Sequence, residues 1–363
     1  MNTSLPLPNL AGGALTTTHK GPLAMAQNPT NYSSPDALKD GRVTFRLFAP
    51  GAKAVATVGA WDNWQQHKMT RDAAGLWSVT IGPLANDIYE YKFSVDGLEI
   101  LDPKNGEFRP MTNRVEVNRG RKDIVWQPQN VPHGTITVMP YDSKSAGIQR
   151  RAHIYTPAGY EDASRERYPT LYLLHGSGDN DSHWSSGLGR ANVVIDNLIA
   201  QGKIPKMIVV MPHGHIYLDG KPTPQDAIER DIVEDLLPLV DKRFRTSKRR
   251  AMCGLSMGGG QTVTVGMKHP ELFSAFGIFS AGIFNGPQFE TAISTFEKSV
   301  RDPAKQPLIW VAIGKDDFLM RQYGELKTRL NRNLKATYVE TEGGHVWHLW
   351  RQYLADFAPL AFK

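Results

Sequence analysis

The segment Gly254-Leu255-Ser256-Met257-Gly258 places a serine between glycines, directly after the apolar run Ala251–Leu255 and directly before Gly259-Gly260. This pattern suits a sharp strand-to-helix turn that holds a hydroxyl clear of a sheet. The flanking glycines let neighbouring backbone approach, and the following helix N-terminus favours negative charge developing on a substrate. A hydroxyl is a poor nucleophile near neutral pH, so Ser256 needs a base, and the base needs an orienting group. On such a framework the chain order is serine, acid, histidine. His269, His345 and His348 are the histidines that follow Ser256. His269 ends the helix that the serine opens, just before Pro270, and reads as a cap. His345 follows Thr341-Glu342-Gly343-Gly344, a loop able to swing an imidazole over the serine, and is the expected base. His348 is the alternative. For the acid, Gly314-Lys315-Asp316-Asp317 follows the apolar run Leu308–Ile313. Either carboxylate can orient the imidazole, while the other caps a helix beginning at Phe318.

Acyl transfer also needs two amides aimed at the developing oxyanion. The residue after the nucleophile, Met257, supplies one, and an earlier strand-end loop supplies the other. Leu173-Leu174-His175-Gly176-Ser177-Gly178 ends a very apolar strand, so the Ser177 amide is the second expected donor. His175 precedes Ser256 on the wrong strand for the base and reads as structural. No His, Asp or Cys cluster shows metal-ligand spacing, and serine chemistry requires neither metal nor cofactor; activity is expected to survive EDTA.

Two compositions surround these residues. From Gly41 to about Val125, short alternating runs such as Val43–Phe48, Leu76–Ile81 and Ile88–Val95 are separated by turn residues, as in a small β-sandwich. From Gly134 onward, continuous apolar strands alternate with amphipathic helices. That alternation predicts an α/β domain with a mostly parallel sheet covered on both faces. The strands are expected at 135–139, 149–155, 170–174, 207–211, 251–255, 275–279, 308–313 and 336–340. Helices are expected near 191–201, 227–244, 259–269, 318–334 and 347–357. The expected organisation is therefore a disordered or leader segment over 1–35, a sandwich over 36–126, a linker from Trp126 to Gly134, and a catalytic domain over 134–363.

Composition narrows the class. The chain has 363 residues with 42 Lys+Arg against 36 Asp+Glu, a net charge of +6. The densest basic run, Lys242 to Arg250, is interrupted by Phe244, Thr246 and Ser247 and reads as a solvated face, so no nucleic-acid partner is expected. No run approaches the roughly 18 apolar residues of a membrane span. Cys253 is the single cysteine, which excludes an intramolecular disulfide. Ala24-Met25-Ala26 before Gln27 looks like the end of a secretory signal, although Pro6, Pro8 and Pro22 interrupt the stretch before it. The expectation is a secreted or periplasmic protein whose leader is missing or replaced.

These residues resemble a known group. From Thr135 to Lys363 the chain is similar to the esterase-D-like α/β hydrolases, and most of all to carbohydrate esterase family one, the feruloyl and acetylxylan esterases. The similarity rests on Leu173-Leu174-His175-Gly176, Gly189-Arg190-Ala191-Asn192, Ile208-Val209-Val210-Met211-Pro212, Gly254 to Gly260, Gly343-Gly344-His345 and Trp350-Arg351. The resemblance implies Ser256 as nucleophile, His345 as base, Asp317 rather than Asp316 as acid, and Ser177 as the second oxyanion donor. The front part, Gly41 to Asn118, resembles the early-set sandwich of carbohydrate-binding module family 48. It does so through Thr44 to Pro50, Gly59-Ala60-Trp61-Asp62-Asn63-Trp64, Tyr91-Lys92-Phe93 and Asp96-Gly97. Glycan-binding members pair an aromatic after Asp-Gly with the tryptophan at position 64. Here that stretch reads Leu98-Glu99-Ile100-Leu101. Trp61, Trp64 and Trp77 are therefore expected to pack the sandwich.

The resemblance implies a serine carboxylesterase acting on feruloylated or acetylated oligosaccharide or xylan. An aromatic slot beside the serine is expected from Trp184, Trp347 and Trp350. The alternatives are an enterochelin-type siderophore esterase, with which the +6 charge is compatible, an acetylxylan esterase, and a glycan-binding protein with a dead hydrolase. A full Ser, Asp and His set argues against the last.

Overall fold

The computed structural model describes residues 31–363, apart from 110, 122, 163–164, 219–220, 223–224 and 283–285. In the sandwich, β1 (Val43–Phe48), β2 (Val55–Gly59), β3 (Leu76–Ile81), β4 (Asp87–Val95) and β5 (Thr112–Val117) form two antiparallel sheets. β1 pairs with β3, and β4 lies between β2 and β5. Period two does the sorting: Val43, Phe45 and Leu47 point into the core while the residues between them face outward. Phe45 meets Tyr91 of the opposite sheet with ring centroids 4.7 Å apart. Trp77 is buried with its Nε1–H donating to Ala49 O at 2.9 Å, and Trp61 stacks on Phe45. Trp64 does not join that core: it lies half-buried at the seam with the next domain, against a cluster that includes Ala60 and Ile88 of the sandwich, with Lys92 Nζ 5.5 Å from its ring. The expectation of order starting at residue 36 also needs correction. Ser34 is buried, and its hydroxyl donates to Asp102 at 2.6 Å, so residues 31–35 belong to the sandwich. The Ala24-Met25-Ala26 reading lies outside the described residues.

The second domain is one eight-stranded sheet. Its strands are β6 (Thr135–Ser143), β7 (Ile148–Thr156), β8 (Tyr168–Leu174), β9 (Ile208–Pro212), β10 (Thr246–Leu255), β11 (Ala275–Phe279), β12 (Leu308–Gly314) and β13 (Thr337–Thr341). The spatial order is β6-β7-β9-β8-β10-β11-β12-β13. β6, β7 and β9 pair antiparallel in turn, and every pairing from β9 through β8 to β13 is parallel. Helices α1 (Ala191–Ala200), α2 (Met257–Gln261), α3 (Pro287–Ser299), α4 (Met320–Leu330) and α5 (Trp347–Ala361) cover it, together with a helical segment from Gln225 to Arg243. α3 was not among the expected helices. Its apolar stripe is short (Phe289, Ala292, Ile293, Phe296) on an otherwise polar sequence. None of the described helices is long and apolar enough to cross a membrane.

Parallel strands put all their C-terminal ends on one edge, so the loops after β8, β10, β12 and β13 gather there. The sandwich docks beside that edge. Arg351 of α5 is wholly buried; it pairs with Asp87 at the start of β4 and donates to Ile88 O (3.0 Å) and Leu188 O (2.5 Å). A buried guanidinium is tolerated only when its donors find partners, and here most of those partners are residues of the sandwich. The 126–134 connection is likewise tied down: Asn197 donates to Val125 O and Gln127 O, and Asp196 accepts from the Gly134 amide.

Candidate active site

β10 ends at Leu255 and α2 starts at Met257, which leaves Ser256 alone in the turn at φ 53° and ψ −115°. A non-glycine residue held there costs about 1–3 kcal/mol, which the surroundings must offset. The Ser256 amide donates to Phe279 O (2.8 Å), and its carbonyl accepts from the amides of Gly260 (3.0 Å) and Gly282 (2.9 Å). The glycines of the motif are steric requirements. A Cβ at Gly258 would lie 2.6 Å from the carbonyl oxygens of Leu174 and His175, and one at Gly254 would lie 2.6 Å from the Gly258 carbonyl.

The acid and histidine loops converge after β12 and β13. His345 Nδ1 lies 2.8 Å from Asp317 Oδ2, and the carboxylate is fully enclosed. Asp317 Oδ1 also accepts from the Leu319 amide at 2.9 Å. The helix begins at Met320 rather than Phe318, with no side-chain cap at its N-terminus, so neither aspartate caps it; Asp317 holds His345 and the Leu319 amide of the turn before the helix, and Asp316 is exposed. The His345 ring sits between Phe318 (centroids 4.5 Å apart) and Trp350 (4.8 Å). Trp350 Nε1–H donates to Ser280 Oγ at 3.1 Å, so this ring braces the histidine against the turn after β11. His348 turns away toward the sandwich, where it packs on Tyr89. His269 pairs with Glu229 at 2.8 Å.

The tryptophan slot is corrected. Trp184 and Trp347 are 1% and 2% exposed and pack edge-to-face on each other. Trp184 spends its N–H on Leu174 O at 2.9 Å. Neither offers a face to a ligand, because both fill the core under the sheet edge. Trp350, 5% exposed, reaches the site only through His345.

A mainly apolar hollow of about 150 Å³ lies at Met257, the residue after Ser256, where Ile228, Gly260, Gln261, Thr264, Gly282 and Phe289 also line it. Ile228 and Phe289 carry no sequence signal for this role, since each reads as one more apolar position on a helix.

The β8 loop passes the serine closely: a Cβ at Gly176 would lie 3.4 Å from Ser256 Cβ and 2.5 Å from Leu255 Cδ1. Ser177, next along, is exposed. His175 is structural, as the sequence suggests. Its Nδ1–H donates to Gly176 O (2.8 Å) and its Nε2 accepts from the Gly214 amide (2.7 Å), while burial pushes its pKa down to about 3 and keeps it neutral. Asp179 closes the same loop and accepts an ion pair from Arg109 of the sandwich (2.7 Å). Arg109 also pairs with Glu90 of β4 at 2.9 Å. Burial holds both carboxyls above their usual range. Nothing in the sequence links Arg109 to a residue 70 positions away. Among the described residues no His, Cys, Asp or Glu group is placed to hold a metal.

The fold and the glycine-bounded elbow define an α/β hydrolase carrying an N-terminal early-set sandwich. Residues 143–360 match the putative esterase family, and residues 31–109 match carbohydrate-binding module 48, the isoamylase N-terminal domain. The chain belongs to the putative esterase family. It is 30% identical over 355 residues to the endo-1,4-beta-xylanase/feruloyl esterase of Xylanibacter ruminicola, covering 93% of this chain and 47% of that protein. The chain thus spans about half the length of that curated relative. Among solved structures, a ferulic acid esterase superposes with a TM-score of 0.55 at 25% identity, covering 63% of this chain and 98% of its own. The enterochelin esterase of Shigella flexneri superposes with a TM-score of 0.66 at 19% identity, covering 90% and 94%.

Proposed function

We propose that the protein is a serine carboxylesterase that removes feruloyl groups from xylan-derived sugars through an acyl-enzyme. The observation that carries this reading is the 2.8 Å contact between His345 Nδ1 and the enclosed carboxylate of Asp317, on loops at the same sheet edge as the Ser256 elbow. With Nδ1–H donating to Asp317, Nε2 is left as the proton acceptor. His345 takes the Ser256 proton as Oγ attacks the ester carbonyl, and Asp317 stabilises the imidazolium that forms. The amides of Met257 and Ser177 receive the oxyanion. Collapse expels the sugar alcohol, which takes its proton from His345, and water then repeats the sequence on the acyl-enzyme. The hollow at Ile228, Met257 and Phe289 supports a planar apolar acyl group. The similarity to the xylanase/feruloyl esterase supports the alcohol.

The test is turnover of methyl ferulate, acetylated xylan and enterobactin by one preparation. The reading expects the highest kcat/KM on methyl ferulate. A preference for acetylated xylan makes the protein an acetylxylan esterase, and a preference for enterobactin makes it a siderophore esterase; either result overturns the feruloyl assignment.

A further inference from the structure

The loop that carries His345 is held from two directions. On one side lies the acid loop. The Lys315 amide donates to Thr341 O (2.8 Å), and the Asp316 amide donates to Gly343 O (3.0 Å). On the other side lies the sandwich. One turn of 3-10 helix (Ala60–Asp62) after β2 ends in Asn63 at φ 59° and ψ 42°, and Trp64 follows at φ 65°. Non-glycine residues rarely enter that region, and two in succession persist only where their surroundings enforce them. Here the Trp64 amide donates to Gly59 O (3.0 Å) and Ala60 is buried in the seam. The strained turn sets the Asn63 side chain against Gly344, the residue before His345. A Cβ on Gly344 would lie 2.6 Å from Asn63 Oδ1 and 3.2 Å from its Cγ; the next atom, Asp316 O, is at an ordinary 3.5 Å. Gly344 is not in the left-handed region, so Asn63, and not the local backbone, is what bars a side chain there. Asn63 is exposed while Gly344 beneath it is buried, so apolar burial of its own side chain does not explain the turn.

We propose that Asn63 is a positioning residue for the reaction: it closes the histidine loop against the acid loop and thereby fixes where His345 presents Nε2. The inference rests on the esterase reading above, in which His345 is the base. The hydrogen bond from Nδ1 to Asp317 anchors one end of the imidazole, but Gly343 (φ 102°) and Gly344 give its backbone freedom to swing. A displacement of about 1 Å at a reacting group can cost about 10²-fold in rate. Between the acid loop and Asn63 the two glycines have one place to lie.

The experiment is a double-mutant cycle on the full chain, read as kcat and KM on methyl ferulate and on a short acetyl ester. Asn63→Gly keeps the left-handed backbone and removes the stop; kcat should fall about tenfold on both esters with KM nearly unchanged. Asn63→Asp, which keeps the shape and tolerates the same φ, should restore most of that loss. Gly344→Ala drives a methyl group into Asn63 and should lower kcat about 100-fold. In Asn63→Gly/Gly344→Ala the methyl occupies the space the amide vacates, so kcat should rise above that of Gly344→Ala alone. Independent, multiplicative losses would overturn the proposal, because residues not in contact do not couple. Wild-type kcat in Asn63→Gly would overturn it too. A loss confined to KM would make Asn63 a substrate contact and end the positioning role. A wild type that hydrolyses neither ester takes the esterase reading down with it; turnover without coupling removes the positioning role alone.

Discussion

At Met257 the wall is mainly apolar and belongs wholly to the catalytic domain, with Ile228, Met257 and Phe289 around a hollow of about 150 Å³. Where the sandwich meets the loop after β8 the wall is polar and shared between domains, with Glu90 and Arg109 from the sandwich meeting Asp179 and His183. The apolar wall is stable without a ligand, since its side chains pack on one another. In the polar wall Arg109 sits between two enclosed carboxylates, and the Thr112 hydroxyl also donates to Glu90. A hydrophobic slot discriminates weakly, by about 1–3 kcal/mol per group, whereas buried hydrogen-bonding groups penalise a ligand that leaves them unmatched far more.

The largest expected effect removes the centre that both walls serve. Ser256→Ala should lower kcat by several powers of ten, about 10⁶, while leaving the urea unfolding midpoint near the wild type. Retention of more than a few per cent of kcat would mean that neither wall faces a serine nucleophile.

Next, Asp317→Asn keeps the shape and an acceptor for the Leu319 amide but loses the charge that stabilises the imidazolium, so kcat should fall by about 10⁴. Exposed Asp316→Asn should change kcat less than about tenfold. The reverse ranking, measured on methyl ferulate, would hand the acid role to Asp316.

Arg109→Met tests the polar wall. It leaves Glu90 and Asp179 enclosed without their shared cation, a change expected to cost about 3 kcal/mol of stability near neutral pH. Both carboxyls already sit above their usual range, so the folded state takes up their protons before the unfolded chain does. Raised folded pKa values mean that this destabilisation is full at high pH and fades as pH falls through them. The deficit in urea unfolding should therefore be larger at pH 8 than at pH 5. A deficit equal at both would show that Arg109 acts by packing.

The smallest effect probes the apolar wall. Phe289→Ala should raise KM for methyl ferulate about tenfold and hardly alter hydrolysis of a short acetyl ester, because only a large acyl group loses contact. Parallel losses on both esters would mean that the hollow does not receive the acyl group.

Much of this arrangement is legible without coordinates. The Ser256 elbow, the His345 loop and the strand-end Asp316-Asp317 pair are local signals, because turn geometry, chain order and period are written in neighbouring residues. Which aspartate turns inward is not local. Asp317 was favoured by resemblance, and its enclosure comes from the packing of β12, α4 and the His345 loop. The tryptophans misled for a related reason. An aromatic near the motifs can pack or bind, and Trp184 and Trp347 found each other in the core.

Sequence alone marked the strands, most helices and the Ser256, Asp316-Asp317 and His345 motifs, since amphipathic period and turn geometry act over a few residues. Only the tertiary structure decided that Arg109 meets Asp179 and that Arg351 is spent holding β4. Those contacts join residues 70 to 264 positions apart. Their free energy depends on how two finished surfaces exclude water from paired charges, a property that neither segment carries by itself.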